Sequence, residues 1–300
     1  MRACDVARVE LPTLALLAAT YALWAIGTTW AATMWLPLGM VFVALAGVQH
    51  ASLCHEALHG HPTRFRWLNE ALVFPQITLL IPYGRFRDTH LEHHRDEQLT
   101  DPYDDPESNY RDPEEWARFP AWLKGVFAFN NTLLGRMLVG PIVSQVYFMK
   151  ADWALIRAGD RAVLRAWLVH LPAVAVVIWW IVAVGQMPIW AFLLASYVAL
   201  SVLKIRTYLE HRAHEACTGR TVVVDDRGPL AFLFLNNNYH SVHHARPGMP
   251  WYRLPAQFRA ERDMFLAEND GYYYRSYRQI FAKHLLRAKD PVPHPLWPNE

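Results

Sequence analysis

Three short histidine clusters hold the chemistry available to this sequence. His55-Glu-Ala-Leu-His59 sets two imidazoles at i and i+4, and His90-Leu-Glu-His93-His94 and His240-Ser-Val-His243-His244 each set three at i, i+3 and i+4. Helical residues at those intervals share a face, so each cluster offers several nitrogen donors to one metal. His211, in Arg206-Thr-Tyr-Leu-Glu-His211, stands alone as a ninth candidate. A single zinc needs only three or four protein ligands, whereas nine suffice for two metals with positions left open for oxygen. Neutral imidazole suits ferrous iron, and two irons can together supply electrons to cleave dioxygen. The expectation is two iron ions with dioxygen as co-substrate.

The other six histidines read as structural or solvated. His50 precedes His55 by five residues and so faces another side of a helix, with His61 on the His50 face; His170, His214, His284 and His294 lie apart from the clusters. Carboxylates within a few residues, Glu56, Asp88, Glu92, Asp96 and Glu210, are candidates to orient ligating rings through the second ring nitrogen, with an ordinary solvated role as the alternative. Asn236, four residues before His240, could share its face and hold a metal-bound water. The segment Asp101-Pro-Tyr-Asp-Asp-Pro-Glu-Ser108 reads as a turn-rich, solvated acidic loop, with calcium binding as its alternative.

What must position these residues is a membrane scaffold. From Leu11 to Cys54, and again from Ala166 to Leu203, no Asp, Glu, Lys or Arg occurs. A span needs roughly 20 apolar residues, so each block holds two helices. The turns are expected at Gly27–Met34 and at Gly185–Pro188. The expected fold is an all-α integral membrane protein, one domain over residues 1–300. Four transmembrane helices form two hairpins, about 11–54 and 166–204, and the regions of about 55–165 and 205–300 form a cytosolic helical cap holding a dimetal site. Both turns lack Lys and Arg, whereas Arg2, Arg8, Arg64, Arg66, Arg161, Arg165, Lys204 and Arg206 flank the blocks, which places both termini in the cytoplasm. The first block is too long for a signal peptide. The uncharged stretch 71–84, with Pro75 and Pro82, suits a re-entrant or interfacial element, and 125–149, with Arg136 at its middle, suits a helix along the membrane surface.

Composition removes other classes. The net charge of +2 suggests no nucleic-acid partner. Cys4, Cys54 and Cys217 are odd in number and far apart, which supports neither a disulfide framework nor a thiolate metal site. His55-Glu56-Ala57-Leu58-His59 also fits the HExxH helix of zinc proteases. An intramembrane protease would want an Asp in a second apolar helix; neither block has one, and both HxxHH clusters would be left idle. A non-catalytic membrane scaffold, which would bind no metal, is the third class.

The order of these motifs resembles that of the membrane fatty acid desaturase superfamily, the histidine-box diiron desaturases and hydroxylases, and the likeness covers most of the chain. His59-Gly-His-Pro-Thr-Arg64, Leu99-Thr-Asp-Pro-Tyr-Asp-Asp-Pro-Glu107 and Pro250-Trp-Tyr-Arg-Leu-Pro255 are similar to a compact desaturase-like subgroup. The resemblance implies four spans, a cytosolic cap, and two irons held by His55, His59, His90, His93, His94, His211, His240, His243 and His244, with no catalytic residue beyond these ligands. Animal acyl-CoA members carry an Asn one turn before the isolated His as a water-mediated ligand; here that position is Thr207. No cytochrome b5-type heme motif is fused at either end. Electrons are expected from a separate ferredoxin or cytochrome b5-like donor with its reductase, in a bacterial inner membrane.

The expected reaction is O2-dependent desaturation of a fatty acyl or lipid-like substrate. Hydroxylation on the same site, or desaturation of a small amino-acid-derived metabolite such as dihydrorhizobitoxine, stays open. The desaturase preference rests on family frequency alone.

Overall fold

Pro37 decides where the first apolar block turns back. In the computed structural model, which describes residues 9–94 and 99–297, helix α1 (Leu11–Met34) runs straight through the expected turn, with a π-helical stretch at Gly27–Ala31. It breaks only at Trp35, whose φ of −161° and ψ of 107° are extended. Proline has no N–H to donate and fits only the first turn of a helix, so α2 (Leu36–Leu58) starts just before Pro37. Arg2, Cys4, Arg8 and Asp96 lie outside the described residues.

The chain continues as α3 (Arg66–Leu72), α4 (Tyr83–His93), α5 (Pro113–Arg118), α6 (Ala121–Asn130), α7 (Leu133–Leu138), α8 (Gly140–Arg157), α9 (Arg161–Ala183) and α10 (Ile189–Thr207). There follow strand β1 (Val223–Val224), α11 (Pro229–Leu233), α12 (His240–Ala245), α13 (Leu254–Ala260), α14 (Arg262–Glu268), strand β2 (Tyr273–Tyr274) and α15 (Tyr277–His284). The fold is thus mostly helical, and α1, α2, α9 and α10 are long and apolar enough to cross a membrane. The third of these begins five residues earlier than its uncharged block, because the Asp160 carboxylate caps it by accepting from Ala162 N and Val163 N. The break at 184–188 falls where Gly185 to Pro188 predict it. The chain divides into two compact units, residues 1–87 with 149–200 and residues 88–148 with 201–300.

In the first unit Trp24, Val43, Ile77, Val177, Ile181 and Phe192 form the apolar centre. Small residues let its backbones approach: a Cβ on Gly39 would lie 2.6 Å from the Gly27 carbonyl oxygen, and one on Gly47 2.8 Å from Ala199 Cβ. The stretch expected to be re-entrant is irregular backbone between α3 and α4, with Leu79 at a φ of 68°. Its polar groups are paired, as a segment inside an apolar block requires: Leu79 N donates to Gln76 O at 2.8 Å, and His170 Nε2 donates to Leu79 O at 2.9 Å. His50 lies between Tyr21 Oη (3.2 Å) and Cys54 Sγ (3.6 Å). His61 is not on the His50 face, because α2 has already ended at Leu58; its Nδ1 meets Glu10 Oε1 at 2.7 Å instead. A buried ion pair, Arg85 with Asp152 at 2.8 Å, ties α4 to α8, and Trp167 Nε1 of α9 donates to the same carboxylate at 2.8 Å.

The second unit is built on a two-residue parallel strand pair, Val223 beside Tyr273 and Val224 beside Tyr274. Against it pack Tyr239, Val242, Leu254, Phe258 and Phe265. Burying each such side chain stabilises by about 1.5–3 kcal/mol, which anchors the short α12. Arg136 departs from the expectation of a surface helix: it is 4% exposed, Nε donates to Asn130 O at 3.0 Å, and its guanidinium also reaches Asn109 Oδ1. Leu138, Ile142 and Val146 of the same stretch are exposed.

Two outcomes follow. Asp152→Ala removes the carboxylate that Arg85 and Trp167 share and should lower the thermal midpoint in detergent. For His61, burial opposes protonation, but the hydrogen bond to Glu10 and the charges of Glu56 and Glu10 outweigh it and raise the pKa above 6.5. A raised pKa means stability fully present below the unfolded value of about 6.5 and lost as pH climbs through the folded one. The midpoint of the native chain should therefore fall across that alkaline window, and Glu10→Gln should flatten the fall.

Candidate metal centre

Seven of the nine predicted histidines belong to the second unit, and it brings them into two groups. Two of the helices that carry them are short. α12 is pinned to the apolar centre through Val242 and presents His240, His243 and His244; α4 ends at the histidines of the second cluster, with His90 and His93 buried on it. His211 enters just after α10, in an isolated bridge to Thr221.

One group is His93, His211, His240 and His244. His93 Nε2 lies 2.9 Å from His211 Nε2, His240 Nε2 lies 3.0 Å from His211 Nε2, and His244 Nε2 lies 3.1 Å from His240 Nε2. In the other, His94 Nε2 lies 3.1 Å from both His90 Nε2 and His243 Nε2. Metal–nitrogen bonds of about 2.1 Å put cis ligands about 3 Å apart, so the spacing is that of donors around an ion. The remaining two, His55 on α2 and His59 just past its end, belong to the first unit, with ring centroids 4.8 Å apart.

Proton accounting strengthens the case. A neutral imidazole carries one N–H, and the outer partners fix which nitrogen holds it. His93 Nδ1 donates to Asp105 Oδ1 at 2.7 Å, His90 Nδ1 to Glu107 Oε1 at 2.7 Å, and His240 Nδ1 to Asn237 Oδ1 at 3.3 Å. Those three rings therefore turn Nε2 lone pairs towards their neighbours. A lone pair so placed accepts either a metal ion or an N–H from the ring beside it.

The field favours the ion. Burial opposes a charge on His93, but Glu107 and Asp105 overcome it and lift its pKa to about 9. Burial and neighbouring imidazoles hold His94 at about 3, and hold His211, His240 and His244 far below 6.5. The three-or-four-nitrogen donor sets, backed by carboxylates, fit divalent iron.

The outer partners are where the sequence reading errs most. The acidic loop is solvated at Tyr103, Asp104 and Pro106 but not at Asp105, which is 4% exposed, takes His93 Nδ1 and Glu107 N on Oδ1, and accepts from Thr100 N at 2.8 Å on Oδ2. Of the carboxylates named beforehand, Glu210 is near its ring: it pairs with Arg206 at 2.9 Å, accepts from Asn237 Nδ2 at 3.2 Å and lies 3.7 Å from His240 Nδ1. Glu92 is exposed. Asn236 does not share the His240 face, since α12 begins at His240; its amide donates to Trp251 O. Thr207 ends α10 with Oγ1 buried and without a hydrogen-bond partner among the described residues. His214 contacts Ala216 O and Asp270, His284 contacts Tyr274 and His294 contacts Thr100, all away from the two groups. Cys54 is buried and forms no disulfide among the described residues.

A family model described as fatty acid desaturase matches residues 28–278. No curated protein matches the chain.

Removing an outer partner of a ligating histidine costs about 10–100-fold in metal affinity. Asp105→Asn and Glu107→Gln should each weaken iron retention by that factor, measured as iron left on the purified chain after dialysis against a chelator.

Proposed function

This chain belongs to the fatty acid desaturase family, a family of oxidoreductases, and from that premise we propose that it is a membrane-bound diiron enzyme performing O2-dependent desaturation of a fatty acyl or lipid-like chain. The observation that carries the reading is the pair of all-histidine groups, whose ring nitrogens lie about 3 Å apart inside one unit. A single-zinc protease would use the HExxH cluster and leave the seven histidines of the second unit without a purpose.

In this reading the ligands are the nine histidines, His55, His59, His90, His93, His94, His211, His240, His243 and His244. For His55 and His59 the support is the order of the clusters along the sequence. Bound iron would supply the activation of dioxygen that removing hydrogen from an unactivated methylene requires. The chain's own part is to hold the donor nitrogens. Asp105 and Glu107 take the Nδ1 protons of His93 and His90, which aims each Nε2 inward and raises its basicity. Asn237 does the same for His240 and passes the hydrogen bond on to Glu210, whose charge Arg206 balances. Burial of His90, His93, His240 and His243 keeps bulk water from the donor atoms.

The proposed setting is a single membrane domain in which the four apolar helices form two hairpins with both termini cytoplasmic, supported by the Lys and Arg flanking the apolar blocks. A bacterial inner membrane is the proposed location. Electrons come from a separate ferredoxin or cytochrome b5-like carrier.

Metal analysis of the purified chain should find two irons. Lipid and metabolite profiles of cells with and without the chain should differ by products lighter by two hydrogens. Products heavier by one oxygen would make the enzyme a hydroxylase, and one zinc with peptidase activity would overturn the reading.

A further inference from the structure

His211 differs from the other oriented rings. His90, His93 and His240 each give Nδ1 to a protein acceptor, but His211 Nδ1 is buried and has no hydrogen-bond partner among the described residues. His211 also lines a cavity of about 10 Å³, together with Glu107, Tyr110, Arg136, Lys289 and Asp290. That is the space of one water, and a buried water needs two to four polar partners, which this lining offers.

The C-terminal segment closes this cavity. Beyond α15 it runs along the second unit by backbone hydrogen bonds: Leu134 N to Leu285 O at 2.9 Å, Lys289 N to Asn131 O at 3.3 Å, Arg111 N to Val292 O at 3.0 Å and His294 N to Arg111 O at 2.9 Å. His294 Nε2 meets Thr100 Oγ1 at 3.2 Å, at the start of the acidic loop, and Tyr110 Oη donates to Asp290 Oδ2 at 2.5 Å, just beyond that loop. Lys289 Nζ donates to the His211 carbonyl oxygen and pairs with Asp290 at 3.1 Å. One short segment thus grips both ends of the loop that holds His90 and His93, and the backbone of His211 itself.

We propose that the C-terminal segment is part of the metal centre: Lys289 and Asp290 enclose a one-water site that gives His211 its outer hydrogen-bond partner, which makes Lys289 a positioning residue for the four-histidine group. The inference rests on the reading that this group holds an ion. His211 belongs to that group and not to the one containing His90, His94 and His243, so the effect should fall on one ion of two. A buried Lys289 that served stability alone would not discriminate between them.

The test is a cobalt(II) titration of the full chain in detergent, read by the visible absorption of the bound ion together with a thermal midpoint. The unaltered chain should bind two ions. Lys289→Met should bind one as before and the other about 10–100-fold more weakly, with Lys289→Arg restoring much of the loss. Asp290→Asn, which keeps the shape, should weaken the same ion and serves as the test if Lys289→Met does not fold. Two ions held with unaltered affinity in both Lys289→Met and Asp290→Asn would overturn the proposal, as would an equal loss of both. A chain that binds no cobalt at all would remove the diiron reading first, and the proposal with it.

Discussion

Four imidazoles with ring nitrogens crowded to about 3 Å set the terms for the rest of the second unit. Asp105 and Asn237 draw the N–H of His93 and His240 outward, so both rings turn an Nε2 lone pair towards His211 Nε2 at about hydrogen-bond distance. Such a cluster costs free energy in any chain not built to hold a cation, because burial removes the water that would otherwise solvate the ring nitrogens. Its cost must be met by rigid support. The strand pair at Val223 and Tyr273, the Phe258 and Phe265 core and the pinning of α12 through Val242 supply that support.

The donors themselves were legible in the amino-acid order, and their supports were not. Spacing of i, i+3 and i+4 is a property of one helical turn, so His90, His93, His94, His240, His243 and His244 could be recognised without knowing what surrounds them. Asp105 and Glu107 lie 12 and 17 residues from the rings they serve, on a loop whose path depends on turns rather than on a periodicity. Their one sequence signal is that a run of acids and prolines follows closely on a histidine cluster, and solvation explains such a run equally well. Asn236 fails for the opposite reason: helical spacing was extended across a residue, at a φ of 55°, that no helix contains.

The apolar helices teach a similar lesson at larger scale. Uncharged length located all four, since a block of that extent has few alternatives. Their ends needed local chemistry. Gly27 and the threonines after it look like a break, yet a close approach to α2 uses the glycine and the helix absorbs the rest as a π turn; Pro37 makes the break instead. Asp160 likewise starts α9 among charged residues that hydropathy alone would have excluded.

Binding and tuning fall to different residues here. Neutral imidazole rings contribute no net charge, and Asp105, Glu107 and Glu210 place negative charge one hydrogen bond or so behind the donor rings. Were the groups to hold iron as proposed, the readiness of the centre to accept an electron would be set largely from the loop and from the turn after α10, and substitutions there would shift its reduction potential while leaving every histidine unchanged.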